Sequence, residues 1–177
     1  MNIIRDVSES LRKLIYSAMK TELESIEVIV FDSPAEIRDI KSPMISLFLY
    51  MVSEYSAYQS LNTPLENTIT SSPMFIKLHY LITPYAETKE TEQILLAKIL
   101  AITHDSPVLS GSKLCGCLDE TGNQELKLVY ESLSLADFNK IWTRLVGADY
   151  RASLSFTVEP VQIPSSKQVE IQKVRAQ

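Results

Sequence analysis

The sequence contains two histidines, and each stands among residues that could do chemistry. His79 opens "HYLITPYA", beside Tyr80 and ahead of Pro84-Tyr85, and His104 lies next to Asp105 in "THDSPVLSG". A histidine with a carboxylate partner is the usual general base, and histidine is also the commonest metal ligand. To act together, residues 25 positions apart would have to be brought close by the strand and helix between them. The plainer reading explains each alone. A histidine in the last turn of a helix suits the negative end of the dipole, and Asp105-Ser106-Pro107 is ordinary turn chemistry. No catalytic or metal role is expected of either.

Other nucleophiles fare no better. "LSGSK" lacks both the first glycine and the strand-to-helix setting of a nucleophile elbow. With four glycines in the chain there is no phosphate-cradling loop, and no two carboxylates are placed as an acid-base pair. Cys115 and Cys117 flank a single residue, a spacing that would strain a disulfide. Zinc wants four ligands, and a second cysteine pair is missing. Both are expected to be reduced structural thiols. The expectation is no enzyme and no cofactor.

Composition narrows the class. A chain of 177 residues, 45% hydrophobic and 22% charged, suits one soluble domain with a real core. Its net charge of −5 is spread without a basic block, which argues against nucleic acid as the partner. No apolar run approaches the roughly 18 residues of a membrane span. The start, MNIIRDVSESLRK, alternates charged and apolar groups unlike a secretory signal. The expected compartment is the cytoplasm.

Residues 3 to about 22 read as an amphipathic helix, with Ile4, Val7, Leu11, Leu14 and Ala18 on one stripe. Ile26 to Phe31 has strand composition, and Ser33 to Glu36 has capping-box spacing. Residues 42 to 55 are apolar on both alternating sets, which predicts a central strand covered on both sides. A loop is expected at 59–73. Met74 to Thr83 alternates as a strand, ended by Pro84 because proline cannot donate to the ladder. Glu87, Glu90 and Glu92 load the start of a second helix, buried through Leu95, Ile99 and Ile102 and stopped by Pro107.

Thr121-Gly122-Asn123 predicts a turn between two short extended segments. Ser134 opens a short helix that ends near Gly147. Tyr150 to Val158 alternates most clearly, with Arg151, Ser153, Ser155, Thr157 and Glu159 on a solvated or partner-facing side. The sum is an α+β domain over 1–163, followed by a polar tail over 164–177. Its antiparallel or mixed sheet has about five strands, with two longer helices and one short one.

Seven segments in order carry a resemblance: "IRDVSESLRKL", "FDSPAEI", "ISLFLYMVSE", "LHYLITPYA", "HDSPVLSG", "ESLSLADFNKIW" and "YRASLSFTVEPVQI". Over roughly residues 3 to 163 the chain resembles the N-terminal domain of the tail-terminator, or cap, protein of contractile injection systems. These are phage-tail-like particles of the antifeeding-prophage and virulence-cassette kind. The resemblance implies a tail-terminator-like α+β fold and a homohexameric ring at the end of the tail distal to the baseplate. There the ring ends inner-tube growth and anchors the last sheath ring, so the implied partners are copies of itself, tube and sheath, inside a particle that is released in some systems. The alternative is a soluble adaptor or assembly chaperone that does not stay in the particle.

His79, Tyr80, Pro84, Tyr85, Pro107, Leu109, Ser110 and Gly111 match the pattern best and carry over as packing and turn residues. A ring needs two unlike faces that meet after a fixed rotation, and Arg151, Ser153, Thr157 and Glu159 are the candidate subunit surface. The 59–73 loop and the tail are the segments expected to reach tube or sheath by adding a strand to an open edge. Some members of the family continue into a further C-terminal region past the point that matches Gln177.

Overall fold

The computed structural model describes residues 2–38, 40, 42–56 and 73–165. The apolar stripe of the first segment forms α1, Ile3–Ala18, which buries Ile3, Val7, Leu11, Leu14 and Ile15. Ile3 rather than Ile4 faces inward, and the helix stops at Ala18 instead of near residue 22. Met19 and Leu23 stay in the core through a turn closed by the Leu23 N–H on the Met19 carbonyl at 3.0 Å. The second helix, α2, runs Lys89–Asp105. Thr88 caps it by accepting the Thr91 N–H at 3.2 Å, and Leu95 and Ile99 point into the core. The short helix α3, Leu135–Arg144, is capped in the same way by Ser134, which accepts the Asp137 N–H.

Six strands form one mixed sheet: β1 Ile29–Val30, β2 Met44–Glu54, β3 Met74–Tyr85, β4 Val108–Ser110, β5 Glu125–Tyr130 and β6 Leu154–Ile163. Their order is β1-β2-β3-β6-β5-β4, antiparallel except where β1 runs parallel to β2. Both long helices cover one face. Val7, Leu11, Leu95 and Ile99 share a single core with Leu47, Leu78, Tyr80, Leu128 and Phe156. Each fully buried side chain of this size contributes about 1.5–3 kcal/mol over leaving it in water.

Several expectations need correction. The first strand shrinks to Ile29–Val30, because Ile26–Val28 winds into a short 3-10 turn capped by Ser25. The Ser33–Glu36 capping box does form, with the Ser33 N–H on the Glu36 carboxylate at 2.9 Å and the Ala35 N–H on the Ser33 hydroxyl at 3.2 Å.

The strand at β2 is not covered on both sides. Met51 and Val52 are 44% and 48% exposed, because β1 pairs only with Ile45 and Ser46 and a bulge at Tyr50 shifts the alternation. Pro84 does not end β3; it pairs with Ile45. β6 pairs with β3 only as far as Ile82, so among the described residues one side of Pro84 has no neighbouring strand. The partner of β5 is Val108–Ser110 rather than a segment just before Thr121. β6 begins at Leu154 and continues through a cis Glu159–Pro160 bond to Ile163. Apart from Pro73, the 59–73 loop lies outside the described residues, as does the tail from residue 166.

Candidate functional site

Polar residues at every second position put a hydrogen-bonded cluster on the sheet face opposite Tyr80. His79 is buried there at 5% exposure. Its Nε2 lies 2.8 Å from Ser53 Oγ on β2, and its Nδ1 lies 3.3 Å from Glu131 Oε2, just past β5. A carboxylate only accepts, so the ring donates to Glu131 from Nδ1, and in its neutral form Nε2 accepts a hydrogen bond from the Ser53 hydroxyl. The same Glu131 oxygen accepts from Tyr50 at 3.1 Å and from Ser155 at 3.0 Å, and these two hydroxyls sit 3.0 Å apart. Burial, followed by the charge of Glu131, pushes the Tyr50 hydroxyl above its ordinary value, against the pull of its Ser155 bond.

Ser53, His79 and Glu131 thus stand in the order of a hydrolase relay. The setting is wrong for one. Ser53 lies within a strand rather than on a strand-to-helix elbow. The carboxylate that would orient the ring is shared with Tyr50 and Ser155. The cluster is a polar cross-link over strands β2, β3 and β6 and the end of β5. Its only trace along the chain is a polar residue at alternating positions, because its members become neighbours only through strand register.

His104 takes no part. It is exposed in the last turn of α2, on the core side of the sheet, so the sheet separates it from His79. Tyr80 is fully buried, with its hydroxyl 2.8 Å from Ser8 on α1, and burial raises its pKa. Leu109 is in the core, and the Pro107 carbonyl accepts the Leu128 N–H at 2.8 Å. Ser110 is exposed, and Gly111 turns the chain with φ +56°.

The candidate subunit residues all have partners within the chain. Arg151 bonds Glu92 and stacks 4.7 Å over the Tyr85 ring. The Tyr85 hydroxyl is pushed up to about 12 by burial, with Arg151 opposing and Glu92 adding to the rise. Ser153 sits 2.8 Å from Thr83, Glu159 pairs with Lys77 at 2.7 Å, and Thr157 is buried at 5% exposure. Arg151, Ser153 and Glu159 keep some surface; Thr157 does not.

The cysteines are free thiols that staple a turn onto α1. Asp6 Oδ2 accepts from the Cys117 N–H at 3.1 Å and from its thiol at 3.3 Å. The Cys115 N–H donates to Ser10 Oγ at 2.9 Å. Among the described residues no group of three metal-ligating side chains forms, and no helix is long and apolar enough to cross a membrane.

The model of the Pvc16 N-terminal domain matches residues 6–176, and the chain belongs to that family. Among solved structures it is similar to the sheath/tube terminator of an extracellular contractile injection system, PVC, in its extended state. That likeness has a TM-score of 0.65 at 18% identity and covers 100% of this chain and 63% of the other. It is also similar to the tube-terminating cap of the anti-feeding prophage, with a TM-score of 0.61 at 18% identity, over 97% of this chain and 58% of that one. A search of curated proteins finds no match. The chain therefore has the fold of these terminating proteins and spans less than two thirds of their length.

Proposed function

We propose that this chain caps the tail of a contractile injection particle, as a homohexameric ring that ends inner-tube growth and anchors the last sheath ring. The observation that carries this reading is the family match over residues 6–176, joined to a likeness of the whole chain to two terminating caps. Its partners on this reading are further copies of itself, the inner tube and the sheath. The exposed parts of Arg151, Ser153 and Glu159 belong to the surface that meets a neighbouring subunit.

The sheet suits such a part. The cross-link around Glu131 ties β2, β3, β6 and the end of β5 together on one face, which suits a part that must hold its shape. Light scattering on the purified chain, with negative-stain images of the same peak, tests the reading. A six-fold mass and ring-shaped particles are expected. A chain that stays monomeric at high concentration and is missing from purified particles would replace the cap with the assembly adaptor.

A further inference from the structure

The pairing of β3 with β6 ends at Ile82 and Leu154, and beyond it the two chains part. A cavity of about 470 Å³ opens there, between the turn that follows β1, the end of β3 and the segment joining α3 to β6. Pro34, Arg38, Tyr85, Gly147, Asp149 and Arg151 line it.

Tyr85 is the group in this lining that lacks a partner. It is 4% exposed, yet its hydroxyl makes no hydrogen bond among the described residues. Tyr80, the other deeply buried tyrosine of β3, is tied to Ser8. Buried hydroxyls are nearly always bonded, so the partner of this one belongs in the cavity that Tyr85 lines. With its pKa pushed up to about 12 by burial, Tyr85 still has a proton to donate at neutral pH.

Two arginines bring further donors. Arg151 gives Nη1 to Glu92 and lies 4.7 Å over the Tyr85 ring, a stack that fixes its plane. Its remaining N–H groups have no acceptor among the described residues. Arg38 is exposed, and among those residues it bonds only the Ile37 carbonyl beside it, at 3.0 Å. Glu92 is shared with Lys89, at 2.8 Å. The lining and the groups bonded to it thus hold three cations, Arg38, Lys89 and Arg151, against two carboxylates, Glu92 and Asp149. One positive charge is left over, in a chain whose net charge is −5. Water alone would answer the hydroxyl but not the surplus charge.

We infer that this cavity binds a small oxyanion, a phosphate or a carboxylate, with the Tyr85 hydroxyl and the guanidinium N–H groups of Arg38 and Arg151 as its donors. The planar fork of arginine matches both kinds of oxyanion. Asp149, exposed in the same lining, weakens the site by its charge. The inference stands apart from the cap reading and holds or fails on the isolated chain.

Isothermal titration calorimetry of the purified chain tests it, with inorganic phosphate in one arm and acetate in the other, at one ionic strength held with sodium chloride. Saturable binding of one anion per chain is expected, and the tighter arm names the chemistry of the ligand. Tyr85→Phe removes a hydroxyl that bonds nothing among the described residues, so its Tm should match the parent's while its affinity falls about tenfold or more. Arg38→Ala should also bind more weakly at an unchanged Tm, and Asp149→Asn should bind more tightly. Heat that saturates in neither arm would overturn the inference. So would an affinity that Tyr85→Phe and Arg38→Ala leave unchanged, since the anion would then sit elsewhere. A Tyr85→Phe chain that melts well below the parent would overturn the unpartnered hydroxyl from which the inference starts.

Discussion

Replacing Glu131 with alanine removes the acceptor that ties the polar sheet face together, and its cost can be worked from the contacts. Tyr50 and Ser155 lose the carboxylate but keep each other at 3.0 Å. His79 Nδ1 keeps nothing, on a side chain that is 7% exposed. An orphaned buried donor costs about 1–3 kcal/mol. The two lost hydroxyl bonds add about 0.5 kcal/mol each after discounting for a glutamate side chain that is 31% exposed. The expected loss is about 3 kcal/mol, or a fall in Tm of about 6–12 °C for a domain of this size. Urea denaturation at one fixed protein concentration measures it, since association itself stabilises. Tyr50→Phe alone should cost about 1 kcal/mol, since it loses both Glu131 and Ser155, and Tyr50 and Glu131 should couple by about 0.5 kcal/mol in a double-mutant cycle. Strict additivity, with Glu131→Ala costing under about 0.5 kcal/mol, would refute the cross-link.

Leu11→Ala should cost about 2–5 kcal/mol in the same denaturation assay, since Leu11 is 1% exposed in the shared core. Gly116→Ala should destabilise by more than the usual glycine replacement. Its Cβ would lie 2.2 Å from the Asp6 carboxylate at φ +62°, displacing the group that holds Cys117; thermal melting reads the effect. Alkaline titration of phenolate absorbance should show Tyr85 ionising late. Its folded-state value of about 12 exceeds the ordinary 10, so its contribution to stability is whole below pH 10 and is lost as pH climbs through 12. Arg151→Ala should delay that ionisation further, because the guanidinium opposes the rise.

Helices were the most legible part of the fold. The stripes at Val7, Leu11 and Leu14 and at Leu95 and Ile99 are local signals, and so are the carboxylates at the start of α2 and the Ser134 cap. Strand limits were less legible, because pairing decides them. Pro84 looks like a stop until the pairing of β3 with β6 is seen to end at Ile82, and residues 42–55 look covered on both sides until β1 proves two residues long. The cap family was legible from seven ordered segments, and the match over residues 6–176 bears that out. The Glu131 cluster was not. Ser53, His79, Glu131 and Ser155 are separated by tens of residues, and their only trace is a polar residue at alternating positions in otherwise apolar strands.

Locating the chain in purified particles tests the cap reading most directly. A C-terminal tag labelled with gold and imaged by electron microscopy should mark one end of each particle, the end opposite the baseplate. Particles assembled without the chain should carry tubes of irregular length. Label scattered along the shaft, or absent from intact particles of normal length, would contradict the reading.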